Sequence, residues 1–374
     1  MSTKTQLTAI GLMSGTSLDG IDAALLRTDG VSVEYLGPTY FEAYTPAQTM
    51  RLRGLLEMAQ QQGRGLMGSP VVSAVEQDFT RAHARAVQAL LEQEGLAVSD
   101  VDVVGFHGQT ILHRPAERWT WQIGDGGLLA HETGIAVVND FRGADVAAGG
   151  QGAPLVPLYH QALLRALDLP HDDWPIAILN IGGVANVTFI GRDGTVVACD
   201  TGPGNALIND WLQRHTGALL DEGGKVAASG KVHEDRVRLA MQRDYFSRSY
   251  PKSLDRNDFF LDMLDGLSLE DGAATVTALT VASVAASRDI LPATPGRWLV
   301  CGGGRKNPVI MEGLQRALQV PVDPVESVGW RGDFLEAEAF AFLAVRSLKG
   351  MPLSTPTTTG VPEPMTGGKL YAVS

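Results

Sequence analysis

Apolar residues fall into short runs divided by small polar turns, and the N-terminus carries the first pair. Leu7 to Met13 is a largely apolar strand, Gly15 to Gly20 is the tip of a turn of glycines, hydroxyls and one carboxylate, and a second apolar run, Ala23 to Leu26, leaves it within a strand over 21–27. This is the pattern of a β-hairpin. A further strand is predicted over 31–41, followed by helices over 47–62 and 69–94. In the second helix Val71, Val72, Val75, Phe79, Ala82, Ala86 and Leu90 recur near the helical period, and Gly95 supplies a stop. Residues 101–106 read as a strand running into His107-Gly108-Gln109-Thr110.

The same grammar returns downstream. Residues 176–190 form a second apolar–glycine–apolar unit around Gly182-Gly183, a weak internal repeat of the first hairpin. A strand over 195–200 then ends in Asp200-Thr201-Gly202-Pro203-Gly204-Asn205 and precedes an amphipathic stretch, 206–215. Residues 298–301 lead into Gly302-Gly303-Gly304-Arg305-Lys306-Asn307 and a helical stretch, 309–318. Residues 273–289 predict a buried helix, and the Pro/Thr/Gly-rich tail after Lys349 predicts irregular chain. Glycine turns that open helices put backbone amides and a positive helix end where phosphate can sit. Asp19 in the first turn would repel a bare phosphate, which points to a magnesium ion there. No Walker A string and no G-x-G-x-x-G after a strand occurs.

Length and charge narrow the picture. The 374 residues suffice for two domains. The formal net charge of −12 argues against a nucleic-acid partner while leaving an anionic substrate open. No apolar run approaches a membrane span, the short polar start is unlike a signal peptide, and a cytoplasmic protein is expected. Cys199 and Cys301 are expected as two thiols rather than a disulfide. The glycine-rich stretch 140–157 is expected to cross between domains.

The strings GLMSGTSLDGID, GFHGQT, WQIG, DFR with DVAAGGQGAPLVP, NIGGVANVT, DTGPGN and CGGGRKN occur in this order. Together they resemble the anhydro-N-acetylmuramic acid kinase family, from the first strand to about Ala344. The resemblance implies an α/β fold of two ribonuclease-H-like domains, of the actin/hexokinase/Hsp70 type, around an ATP cleft. Their expected extents are 1–148 with the tail 347–374, and 149–346. It also implies ATP and Mg2+ as cofactors, a small amino-sugar substrate, a homodimer and a role in peptidoglycan recycling. The implied reaction opens the 1,6-anhydro bridge with water and moves the γ-phosphoryl group to O6. Closure of the domains on ATP follows as an expectation, because exposed phosphoryl transfer leaks to water.

Residue by residue, the resemblance makes Asp200 the base that deprotonates water. Local sequence alone leaves Asp200 open between that role and a helix cap. Gly15, Thr16, Ser17, Leu18, Asp19, Gly20, Ile21 and Asp22 would wrap the β- and γ-phosphates, with Asp19 as the metal ligand. Gly182, Gly183, Asn186, Gly202 and Gly204 would complete the ATP contacts, and Gly302, Gly303, Gly304 and Asn307 would hold the adenosine end. Gln109, Thr110, Gln122, Asp140, Arg142 and Glu336 are the sugar-pocket candidates. Arg142 either meets the lactyl carboxylate or bridges Asp140 or Asp145. His107 receives no chemistry, and Lys252, in Pro251-Lys252-Ser253-Leu254-Asp255-Arg256, has no assigned role. A nucleotide-gated, chaperone-like or filament-forming ATPase of the same fold is the competing reading. A glycosidase using Asp200 and Glu336 would leave the phosphate hairpins without a purpose.

Overall fold

The computed structural model describes residues 5–15, 17–254, 259 and 261–373. Thr16, Asp255 and Arg256 lie outside them. The chain divides into two compact units, residues 1–166 with 334–374, and residues 167–333.

The first unit holds β1 (Leu7–Met13), β2 (Gly20–Thr28), β3 (Val33–Ala43), β4 (Val103–Phe106), β7 (Val137–Asn139) and β13 (Lys369–Tyr371) in one sheet of order β13-β7-β4-β1-β2-β3. A separate hairpin pairs β5 (Gln109–Arg114) with β6 (Trp119–Ile123). The second unit holds β8 (Ile176–Ile181), β9 (Val184–Ile190), β10 (Val196–Pro203), β11 (Arg297–Cys301) and β12 (Val322–Pro324), ordered β10-β9-β8-β11-β12. In both sheets the first three strands are antiparallel neighbours, and the next two lie parallel on the other side of the first. This shared order is that of two ribonuclease-H-like units, and the weak internal repeat is its imprint in sequence.

The apolar runs are continuous because the sheets are covered on both faces. On one face of β1 and β2, Ile10, Leu12, Ile21 and Ala23 pack with Leu52, Leu55, Phe79 and Val87 of helices Pro46–Gln62 and Pro70–Glu94. The other face receives helix Leu335–Leu348, which approaches so closely that a Cβ at Gly11 would fall 1.8 Å from the Ala337 carbonyl oxygen. One at Gly105 would fall 2.1 Å from that of Phe340. Only glycine admits such contact.

That helix carries the chain into the first unit at Phe334, so the boundaries lie at 166/167 and 333/334 rather than at 148/149 and 346/347. The 140–157 stretch is therefore internal to the first unit, not a crossing. The tail is ordered as well: residues 356–359 form a short helix and β13 pairs antiparallel with β7. One buried carboxylate fastens both segments. Asp145 accepts the Gly152 N–H at 2.6 Å, the Thr359 hydroxyl at 2.5 Å and the Ser354 hydroxyl. Asp145→Ala would strand these donors, so a loss of about 3 kcal/mol of stability is expected in denaturant unfolding. Asp145→Asn, which retains an acceptor, should cost less.

In the second unit Leu179, Ile181, Val187 and Cys199 join Leu207, Trp211, Val276 and Leu279 of helices Asn205–Thr216 and Leu269–Ser287 in one core. Cys199 and Cys301 are both buried, with no disulfide between them. No helix among the described residues is long and apolar enough to cross a membrane.

Candidate active site

Each unit contributes its own group of candidate residues. In the first, the β1–β2 turn is held open by its own backbone. Leu18 is buried with φ +54°, and its N–H reaches the Gly15 carbonyl at 3.3 Å. The Asp19 carbonyl accepts the Tyr44 N–H at 2.9 Å, while its exposed carboxylate accepts the Ser17 hydroxyl at 2.6 Å. Gly15 is unobstructed, whereas Gly20 is hemmed in by the Glu42 carbonyl and the Phe41 ring. Ile21 is fully buried in the core and Asp22 sits in the strand opposite Met13, so the exposed tip is shorter than the expected 15–22 span.

Ser14 is buried beneath the turn, and its hydroxyl donates to Gln109 Oε1 at 2.8 Å. With its one proton so placed, it accepts from the Tyr44 hydroxyl at 2.8 Å. Gln109 is thus an inner support of the turn. Thr110 and Gln122 are cross-strand partners on β5 and β6, and the Gln122 amide donates to Thr120 Oγ1 at 2.7 Å and Thr110 Oγ1 at 3.3 Å. Asp140, at φ +53°, accepts the Gly143 N–H at 3.2 Å. Glu336 lies half-buried in the first turn of helix Leu335–Leu348, in the first unit rather than the second.

Arg142 and His107 form a pair that the sequence does not announce. His107 Nδ1–H donates to the Gly108 carbonyl at 2.7 Å, so Nε2 carries the lone pair. Arg142 Nε and Nη2 donate to that nitrogen at 3.1 and 3.0 Å, and Nη1 donates to the Gly152 carbonyl at 2.6 Å. Burial first, and then the guanidinium, hold His107 well below the ordinary histidine pKa. It is a neutral acceptor that aims Arg142.

In the second unit, Asp200 lies on β10 opposite Asn186 of β9, at a β-bulge where Thr201 is the extra residue between the Asp200 and Gly202 pairings. Bulges turn side chains away from the regular ladder. The Asp200 carboxylate is buried and Oδ2 accepts the Leu254 N–H at 2.7 Å. It does not cap the following helix, whose N-cap is Gly204. Lys252 is also buried, and desolvation lowers its pKa, with the charge partners Cys199 and Asp200 opposing the shift and Arg248 adding to it. Burial pushes the Cys199 thiol up to about 12, so it is inert as a nucleophile.

The glycine turns differ from expectation in one respect. The first amides of helix Asn205–Thr216 are already occupied. Gly204 and Ala206 donate to the Gly183 carbonyl at 3.0 and 3.2 Å, and Asn205 donates to the Gly182 carbonyl at 2.7 Å. Helix Pro308–Leu318 is likewise capped, by Asn307 Oδ1 accepting from Val309 at 3.0 Å and Ile310 at 3.4 Å. Gly182, Gly183, Gly204 and Asn307 therefore close these helix ends rather than leave free amides for phosphate. At Gly302 φ is +73° and a Cβ would strike Asn180 Oδ1 at 2.3 Å, which makes glycine obligatory at this turn. Gly303 is exposed and Gly304 buried. Arg305 pins the loop, donating to the Gly302 carbonyl at 2.9 Å and pairing with Glu326 at 2.7 Å and Asp333 at 3.0 Å.

Among the described residues no group of three His, Cys, Asp or Glu side chains gathers as a metal cage. Mg2+ asks less, because one or two carboxylates with water and substrate phosphates suffice. The exposed Asp19 at the hairpin tip fits that donor set.

A family model described as "Anhydro-N-acetylmuramic acid kinase" matches residues 7–373. A protein of that name from Paramagnetospirillum magneticum is 54% identical over 364 residues, spanning 96% of this chain and 98% of its own length. Another from Rhodospirillum rubrum is 55% identical over 364 residues, spanning 97% and 94%. A third, from Acidiphilium cryptum, is 51% identical over 366 residues, spanning 97% of both.

Proposed function

The chain belongs to the anhydro-N-acetylmuramic acid kinase family, and from that membership we propose an ATP-dependent kinase acting on anhydro-N-acetylmuramic acid in peptidoglycan recycling. The match over residues 7–373 carries the reading, since it spans both units and every candidate residue.

The chemistry fits the residues present. The bicyclic sugar has no free 6-hydroxyl, so a base must act on water instead. Asp200 takes a proton from water as its oxygen attacks C1, the C1–O6 bond breaks, and O6 attacks the γ-phosphorus as ADP leaves. The products are N-acetylmuramic acid 6-phosphate and ADP. A buried carboxylate already held by the Leu254 N–H is oriented before substrate arrives, which is what proton transfer at a fixed atom requires. In the first unit, the Gly15–Asp19 tip would take the β- and γ-phosphates. Asp19 would hold Mg2+, which supplies positive charge to the transferring group. Arg142, aimed by His107, would receive the lactyl carboxylate, while Thr110, Gln122, Asp140 and Glu336 would serve the sugar hydroxyls and N-acetyl group. Asn186, Gly202, Gly302, Gly303 and Gly304 would line the nucleotide's place in the second unit. Family membership also supports a cytoplasmic homodimer, which light scattering on the purified protein tests.

Coupled measurement of ADP release with Mg-ATP tests the reading. The expected result is ADP formation that depends on added anhydro-N-acetylmuramic acid and stops when Mg2+ is chelated. Release that ignores the sugar would instead support a nucleotide-gated ATPase of the same fold.

A further inference from the structure

The proposed chemistry leaves Lys252 idle, yet it is a buried cation within the Asp200 neighbourhood. An ammonium removed from water costs several kcal/mol unless its donors are satisfied. Here Nζ donates to the Tyr245 carbonyl at 2.9 Å and the Phe246 carbonyl at 3.4 Å, and it lies 4.5 Å from the centre of the Tyr245 ring. These contacts draw residues 245–246 and 252 together into a closed loop.

That loop grips Asp200 at three atoms. The Tyr245 hydroxyl donates to the Asp200 carbonyl at 2.7 Å. The Asp200 N–H donates to the Lys252 carbonyl at 2.9 Å. The Leu254 N–H, two residues beyond Lys252, donates to Oδ2 at 2.7 Å. Asp200 needs such support, because the bulge at Thr201 interrupts the strand ladder on its C-terminal side. The backbone of the carboxylate-bearing residue is thus held on both its N–H and its C=O by one segment.

We propose that Lys252 and Tyr245 are positioning residues for Asp200: Lys252 closes the 245–254 loop from inside, and Tyr245 and the loop backbone fix the carboxylate. This rests on Asp200 being the base of the proposed reaction. Neither residue touches the reacting atoms, so both act on the chemical step through Asp200 and leave binding of ATP and sugar alone.

The test compares Tyr245→Phe, Lys252→Met, Lys252→Arg and Asp200→Asn in one steady-state assay, with melting temperatures measured alongside. Tyr245→Phe keeps the ring and removes only the hydroxyl, so it remains informative even if Lys252→Met fails to fold. Displacement of a catalytic group by about 1 Å costs up to roughly 100-fold. Accordingly, Tyr245→Phe and Lys252→Met should lower kcat by about 10- to 100-fold, with KM for both substrates within about twofold of wild type. Lys252→Arg, which keeps a cation and donors, should recover part of the loss. The double variant should be little worse than the poorer single, because both act along one path. A kcat for Tyr245→Phe within about twofold of wild type, or a loss confined to KM, would overturn the proposal. If Asp200→Asn abolishes turnover while Tyr245→Phe does not change it, only the positioning role fails. If Asp200→Asn keeps wild-type kcat, the base assignment fails and takes the positioning role with it.

Discussion

Asp200→Asn should lower kcat by at least about 100-fold, the lower end of what a positioned general base contributes. Asparagine has the same shape, and its amide oxygen can still accept the Leu254 N–H, so the 2.7 Å contact and the fold should survive. What disappears is the capacity to take a proton from water, without which C1 meets a poor nucleophile and O6 is never released. The loss should fall on kcat rather than on KM, since the proposed role of the carboxylate is to take a proton from water and not to bind ATP. A variant that melts like wild type but turns over no more than about 1% as fast is the expected outcome. Full activity would move the base elsewhere.

The second large effect is loss of stability on mild acidification, centred on the first unit. Three histidines there are buried: His83, His107 and His160. Burial lowers His83 to about 4 and His160 to about 3, and it holds His107 well below the ordinary value. The physical reason is plain at His83: Nδ1–H donates to the Phe79 carbonyl at 2.9 Å, while buried Nε2 has no partner among the described residues to receive a second proton. At His107 a second proton would meet the Arg142 guanidinium. A base whose folded pKa is depressed binds fewer protons folded than unfolded. Stability is therefore complete above the unfolded value near 6.5 and falls as pH drops toward the folded pKa. At pH 5 each of His83 and His160 should cost roughly 2 kcal/mol, about 4 kcal/mol together. Denaturant midpoints at pH 7.5 and pH 5 check this. His83→Phe should flatten the slope, and a midpoint indifferent to pH would show that these histidines are not buried neutral.

Much of this was legible in the chain, and the boundary is physical. The strands and helices follow from local periodicity. Their ends follow from local chemistry: Ser69 accepts from Val72 at 3.4 Å, and Gly95 closes the same helix at φ +65°. The repeated hairpin announces the repeated sheet. What stayed hidden depends on residues far apart in sequence. Asp145 fastens a tail 209 and 214 residues away, so a Pro/Thr/Gly-rich segment that looks irregular is built into the first unit. The Asp200 bulge exists only in the register of β10 against β9, and the Tyr245 hydroxyl that supports it comes from 45 residues on. The glycine turns misled in a specific way. A turn opening a helix promises free amides, but at residues 204–206 the carbonyls of another turn had already filled them. Arg142 was visible as a candidate cation, whereas its aiming by His107 required the tautomer that Gly108 imposes.

Coupling of ring opening by water to phosphoryl transfer onto O6 has a direct readout in the mass of the sugar product formed with ADP. The expected result is one product molecule per ADP, heavier than anhydro-N-acetylmuramic acid by one phosphoryl group and one water together, with phosphate on O6. A product that gains the phosphoryl group alone, its anhydro ring intact, would contradict it, as would ADP formed with the sugar unchanged.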